Sequence, residues 1–201
     1  MKFKTIILVM LALSFFYAQS MAQSQRTLTS NSTFQNGKNQ NVTFKAGTTV
    51  SFHGNGKVSS GTLVSNSTFQ NGKNQNVTGS AGTTINFYEN GFVRNLIVPG
   101  NCTYQNGKNQ NVTALTGTII EFAQNGFVAT ITVPGNCTYQ NGKNQNVTAK
   151  AGTTITFYPG GYVRSAVVPG NCTYQSPQRK NVTVQAGRTA QFNETGSLIA
   201  N

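Results

Sequence analysis

The sequence predicts an all-β protein built from tandem repeats, on three observations. A unit of 35 residues recurs with near-copies beginning at Asn31, Asn66, Asn101, Asn136 and Asn171. Each unit alternates short β-prone segments with Asn-Gly or other glycine turns, and the 13 Phe and 7 Tyr fall at regular places. Apart from the N-terminal leader, no segment has helical periodicity. An internal period of this length is typical of an elongated repeat array or a β-solenoid.

The chain begins with a segment typical of a signal peptide. Residues 1–22 have a basic start, an apolar run, and Ser20-Met21-Ala22 as a small-x-small cleavage site. The apolar run is short for a membrane span, and no later segment approaches that length. The mature chain is therefore expected to be secreted, periplasmic or at the cell surface, without a transmembrane segment.

The remainder divides into a lead-in, 23–30, and a five-repeat β domain, 31–201. The lead-in resembles the end of a repeat, since RTLTS at 26–30 matches GTLVS at 61–65. The repeat boundaries are 31–65, 66–100, 101–135, 136–170 and 171–201.

Two turn signals in each unit predict two β-hairpins. One is Asn-Gly within the segment QNGK, first at 35–38, and the other is Asn-Gly at 55–56 and its equivalents. Asn-Gly between β-prone segments is a strong hairpin signal. A two-residue loop at 55–56 would put Phe52 and Val58 on opposite faces, whereas a three-residue loop pairs them. The QNGK turn likewise needs an odd loop, to pair Phe34 with Val42.

This register predicts an inward apolar set in every unit. The set is Phe34, Val42, Val50, Phe52 and Val58, with Leu63 also apolar. So few apolar positions cannot offset the chain entropy of one isolated unit. We therefore expect neighbouring units to share a core.

The second hairpin resembles that of secreted bacterial repeat proteins. HGNGKVSSGTL at 53–63 and FYENGFVRNLIV at 87–98 are similar to their F-x-x-x-G-x-V-x-x-x-x-L hairpin and, more distantly, to MORN-type repeats. The resemblance implies an elongated β-array used for binding or scaffolding, and it implies no catalytic residue.

Three cysteines occupy one position of the repeat and test the arrangement of the units. They are Cys102, Cys137 and Cys172, where the first two units have Ser32 and Ser67. With four strands of each unit side by side in one sheet, equivalent residues would be roughly 19 Å apart, and in a solenoid roughly 5 Å. A disulfide needs Cα atoms within about 7 Å, so only the solenoid would permit one. Three isolated thiols do not favour a metal site.

The composition argues against catalysis. The chain has one histidine, His53, three acidic residues, Glu89, Glu121 and Glu194, and no Asp. Glu89 and Glu194 lie in the second hairpin loop of their repeats and Glu121 lies in a strand, so neither a carboxylate pair nor a nucleophile with its base and orienter is expected. We expect no enzyme activity and no cofactor.

The net charge of +12, or +10 without Lys2 and Lys4 of the leader, favours anionic partners. A positive surface that only maintains solubility is the alternative. Nucleic acid is a less attractive partner for an exported chain than an acidic polysaccharide or a cell-envelope component.

Two repeated arrays are candidate binding residues. On the face opposite the core, the predicted register brings together aromatic rings and arginines, which suit sugar rings and acidic groups. These residues are Tyr88, Phe92, Arg94, Tyr158, Tyr162 and Arg164. The alternative is that the rings pack against a second β-layer or shield the sheet.

A stripe of lysines directly after the QNG turns is the second array. It consists of Lys38, Lys73, Lys108 and Lys143, which could follow a polyanion. Solvated turn lysines that block edge-to-edge association are the alternative.

These observations predict a non-catalytic binding or adhesion module for an anionic glycan or envelope surface. The alternative is a self-assembling extracellular fibre or matrix protein, because stacked NGKNQNVT segments could form asparagine ladders. Eleven Asn-x-Thr sequons also occur, and their glycosylation depends on the source.

Overall fold

A computed structural model describes residues 24–200, so the predicted signal peptide lies outside the described residues. The described chain contains 21 β-strands and no helix. Each repeat contributes four strands as two antiparallel hairpins, which confirms the predicted all-β repeat array.

The second hairpins of all repeats, here called the sheet hairpins, join with a strand of the lead-in into one antiparallel sheet of eleven strands. In spatial order its strands are β1 (Gln25–Thr27), β4 (Thr49–Phe52), β5 (Val58–Thr62), β8 (Thr84–Phe87), β9 (Val93–Ile97), β12 (Ile119–Phe122), β13 (Val128–Thr132), β16 (Thr154–Phe157), β17 (Val163–Val167), β20 (Thr189–Phe192) and β21 (Leu198–Ala200).

The first hairpins of the repeats, here called the stacked hairpins, remain separate two-stranded units. They are β2 (Ser32–Gln35) with β3 (Asn41–Phe44), β6 (Ser67–Gln70) with β7 (Asn76–Gly79), β10 (Cys102–Gln105) with β11 (Asn111–Ala114), β14 (Cys137–Gln140) with β15 (Asn146–Ala149), and β18 (Cys172–Gln175) with β19 (Asn181–Val184). Each packs its apolar side chains against the sheet hairpin of its own repeat, as in the edge-to-face contact of Phe34 with Phe52 at 5.1 Å between ring centroids.

The strand registers confirm the predicted three-residue loops. Phe52 pairs with Val58, and the loop of residues 54–56 ends on Gly56 at φ +76°. The register shifts by one residue between the pairs Phe52/Val58 and Ser51/Ser60, which is a β-bulge. Phe34 pairs with Val42, as predicted, but the left-handed residue of that loop is Asn39, at φ +59°, rather than Gly37.

The core lies between the sheet and the row of stacked hairpins. Val42, Val50, Val58 and Leu63 are fully or almost fully buried, and Phe34 and Phe52 pack against them at the exposed end of the array. The equivalent aromatic residues of the later repeats are buried. The lead-in completes this core. Leu28 is buried, and β1 pairs with β4 in the same register in which β5 pairs with β8. Neighbouring units therefore share one continuous core, as expected.

The two-layer arrangement differs from both the flat sheet and the solenoid. Only two strands of each repeat lie in the long sheet, so equivalent residues of neighbouring repeats are roughly 10 Å apart, from a strand spacing of about 4.8 Å. That separation exceeds the reach of a disulfide. Cys102, Cys137 and Cys172 are accordingly unpaired in the structure.

No helix long and apolar enough to cross a membrane occurs between residues 24 and 200.

Candidate binding surface at the loop edge

The tip of each stacked hairpin is closed by an asparagine side chain. Asn36 Oδ1 accepts hydrogen bonds from the backbone N–H groups of Lys38 and Gln40, each at 3.0 Å. Its Nδ2 donates to Gln40 Oε1 at 3.2 Å. The same bonds recur at Asn71, Asn106 and Asn141. Because all four asparagines are fully buried, these bonds are shielded from water and fix the shape of the tip.

Each tip also packs against the sheet-hairpin loop of the next repeat. Asn36 Nδ2 donates a buried hydrogen bond to Gly91 O at 3.1 Å, across 55 residues of sequence. The backbones are so close that a Cβ on Gly37 would overlap the Glu89 carbonyl. Glycine is therefore required at this tip position by the contact between repeats and not by its own φ angle. We call the line where tips and loops meet the loop edge.

The predicted lysine stripe lies along this loop edge, and three of its lysines cover aromatic rings of the next repeat. Lys38 Nζ lies 4.1 Å from the centroid of Phe92, Lys73 Nζ 4.0 Å from Phe127, and Lys108 Nζ 4.2 Å from Tyr162. We call these three contacts the lysine–aromatic row. The lysines are half-buried, in contrast to the solvated turn lysines of the alternative prediction.

The two ends of the row depart from this pattern. In the fifth repeat the ring position is occupied by Ser197, and Lys143 Nζ donates instead to Gln175 Oε1 at 3.5 Å. In the first repeat, the ring position is occupied by Lys57, whose Nζ donates to Asn39 Oδ1 at 2.8 Å.

The outward tyrosines are partly used for contacts between repeats. Tyr88 Oη donates to Phe122 O at 2.8 Å, and Tyr158 Oη donates to Phe192 O at 2.7 Å. Burial raises the pKa of Tyr88, with Arg94 opposing the shift and Glu121 adding to it. Both rings are half-buried.

The predicted arginines lie beside these tyrosines. Arg164 lies 5.8 Å from the ring centroid of Tyr158, and Arg94 Nε lies 3.7 Å from Glu121 Oε1. The second pair is solvent-exposed and contributes little to stability. Open recesses of about 320 Å³ border Tyr158, one lined by Arg164 and the other by Tyr162 and Glu194. The contact of Phe92 and Tyr162 with lysines of the preceding repeat was not predicted from the sequence.

The cysteines lie beside buried tyrosines of the same strands. Tyr104, Tyr139 and Tyr174 occur in the three repeats that contain cysteine, where the first two repeats have Phe34 and Phe69. Burial raises the pKa of each of these tyrosines, and the adjacent cysteine adds to the shift. Among the described residues, the Tyr174 hydroxyl is the buried side-chain polar atom that lacks a well-aligned hydrogen-bond partner.

No cluster of metal-ligating side chains occurs in the described range 24–200. The sequence matches no protein-family model, and a search of curated proteins finds no match.

Proposed function

We propose that this protein is a non-catalytic, exported binding module for an acidic polysaccharide, which lies along the loop edge. The observation that carries this proposal is the lysine–aromatic row. It offers three ammonium groups, those of Lys38, Lys73 and Lys108, each held at 4.0–4.2 Å from a ring and each repeated once per unit.

The contact with the ring prepares the ammonium groups for binding. A free lysine side chain loses rotamer freedom when it binds an anion, and a lysine already held over a ring loses less. Lys73 and Lys108 also each donate to one asparagine of the next tip, at 3.4 Å. An ammonium has three N–H donors, so donors remain for a carboxylate or sulfate.

The spacing of the row suits a regular polymer. Two strands per repeat give a pitch of roughly 10 Å, which is comparable to the length of an extended disaccharide. Successive lysines would therefore meet the acidic group of successive disaccharides on the same side of the chain. A globular anion would meet only one or two of them.

Binding to a panel of polyanions tests the proposal. The mature chain should bind soluble sulfated and uronate polysaccharides, and the affinity should fall as salt increases, because binding releases counterions. The variant K38Q/K73Q/K108Q should lose most of this affinity and show a shallower dependence on salt, measured by titration calorimetry.

A matched control separates the row from net charge. The variant K45Q/K150Q/R188Q removes the same charge from exposed positions at the opposite ends of the strands. It should retain most of the affinity. An equal loss in both variants would show that binding follows total charge and would refute the lysine–aromatic row as the site.

The outward tyrosines provide a second test. If sugar rings also stack on the Tyr88 and Tyr158 cluster, Y88A/Y158A should weaken binding without changing how steeply the affinity falls with salt concentration. Full retention of affinity in this variant would restrict the site to the lysines.

A further inference from the structure

The contact between consecutive repeats depends on three tip residues, Asn-Gly-Lys. In the junction between the third and fourth repeats, Asn106 Nδ2 donates to Gly161 O, Gly107 approaches the loop backbone, and Lys108 covers Tyr162. The asparagine and glycine contacts recur in all four junctions of the described chain. We call these three tip residues the plug residues, because the tip closes every junction of the described chain.

The fifth repeat replaces all three plug residues. Ser176, Pro177 and Gln178 occupy the positions of asparagine, glycine and lysine. The Ser176 Oγ accepts one hydrogen bond, from Lys180 N at 3.3 Å. Serine has a single O–H donor on a shorter side chain, in place of the two N–H donors of the asparagine amide, of which one reaches the loop carbonyl in the other tips. Proline adds a ring at the position where even a Cβ overlaps the facing backbone in the other four tips.

The loop that would accept such a plug is open at the other end of the array. Gly56 is exposed and a Cβ there would have no neighbour within 4 Å, whereas its equivalents Gly91, Gly126, Gly161 and Gly196 are buried against a tip. Lys57 occupies the position of the ring that the interior lysines cover. The first loop thus has the left-handed glycine of the interior loops, with Lys57 at the ring position and Gly54 where the later loops have Glu, Gln or Pro.

The last repeat leaves apolar side chains that stacking would cover. Val182 is partly exposed, whereas the valines at its position in the other repeats are buried, and Ile199 is 57% exposed. In the sheet, β21 occupies the positions of residues 58–60 and β1 those of residues 60–62, and Ser24, which accepts a hydrogen bond from Phe52 N, adds position 59. The two ends therefore overlap at two positions, and stacking requires two terminal residues of one copy to leave the sheet.

We propose that the loop of residues 54–56 has the shape that accepts a stacked-hairpin tip of a second copy of this chain, and that Ser176, Pro177 and Gln178 of the fifth repeat prevent this docking. Lys57 also removes the lysine–ring contact that three of the four interior junctions have; the fourth junction, with Ser197 at the ring position, forms without it. Wild-type chains therefore do not stack head to tail through the interface that joins their repeats.

Restoring the interior residues tests this inference. The variants are S176N/P177G/Q178K, the same variant with K57F, and S176N alone as a control that retains the proline. Sedimentation velocity over a wide concentration range should show monomers for wild type and S176N. For the two restored variants, the weight-average mass should at least double, most with K57F, and negative-stain images should show rods that lengthen at constant width.

Circular dichroism and the unfolding midpoint establish that each variant is folded. P177G alone is a second variant that changes only the blocking residue, and it should associate more than wild type. Restored variants that are folded and remain monomeric at all concentrations would overturn the proposal. Head-to-tail rods of the wild-type protein would overturn it equally.

Discussion

Replacing Asn106 by alanine tests how much one tip asparagine contributes to the array. The Asn106 side chain makes four hydrogen bonds: it accepts from Lys108 N and Gln110 N at 3.0 Å and donates to Gln110 Oε1 and Gly161 O at 3.1 Å. Three of these bonds hold the tip in shape, and the fourth joins the third repeat to the fourth.

The expected cost follows from these four bonds. Each net hydrogen bond contributes about 1 kcal/mol, and a buried group left without a partner costs about 1–3 kcal/mol. The side chain is fully buried, but Lys108 and Gln110 are only half-buried, so water can satisfy part of their backbone. We therefore expect Asn106→Ala to lower the free energy of unfolding by about 2–4 kcal/mol.

Urea unfolding followed by circular dichroism measures this loss. With a slope of about 2 kcal/mol per M, the midpoint should fall by about 1–2 M if unfolding is cooperative. Ser176→Ala is the matched control at the same repeat position, since it removes one hydrogen bond and no contact between repeats. The exposed Asn111→Ala should change stability by less than about 0.5 kcal/mol. Equal effects of Asn106→Ala and Ser176→Ala would refute the assignment of the tip asparagine as a junction residue.

Two further predictions concern the junction and the buried tyrosines. Gly107→Ala should destabilise the protein by at least about 2 kcal/mol in the same urea assay, because its Cβ overlaps the Pro159 carbonyl, whereas Gly100→Ala faces open space and should be close to neutral. Y104F/Y139F/Y174F should reduce the loss of stability between about pH 9 and pH 11, since tyrosine ionises near pH 10 when exposed. The folded pKa values are raised, so their contribution to stability is complete below the unfolded pKa and is lost as pH rises. A pH dependence identical to wild type would show that these hydroxyls do not link folding to alkaline pH.

Local register could be predicted from the sequence because it depends on neighbouring residues. The pairs Phe52/Val58 and Phe34/Val42 follow from loop length and the two-residue period of a strand. The left-handed Asn39 was not predicted, because Asn36-Gly37 has the composition of a turn centre. The actual role of Asn36, as an acceptor for the loop N–H groups, is also typical of asparagine but leaves no distinct signal.

The contacts between repeats could not be predicted because the repeats are nearly identical. A tip that fits the loop of the next repeat has the same residues as one that fits its own loop or the preceding loop. Periodicity therefore gives the spacing of the lysines and rings but not which of them meet. One difference between the repeats does indicate the direction of the contact. The plug residues change only in the fifth repeat, at Ser176 and Pro177, as expected if every tip reaches forward along the chain.

This forward reach makes the copy number of the repeat adjustable. Because each junction joins one tip to the following loop, excision of an interior unit such as 101–135 would bring the tip of the preceding repeat against the equivalent loop of the following one, for example Asn71 against Gly161 in place of Gly126. The length of the lysine–aromatic row, and of the polysaccharide site proposed there, would change by one step of roughly 10 Å. For a long multivalent ligand, each added step multiplies the overall avidity instead of adding a fixed increment. Unequal recombination between such similar units would thus tune avidity without any change in the residues that make contact.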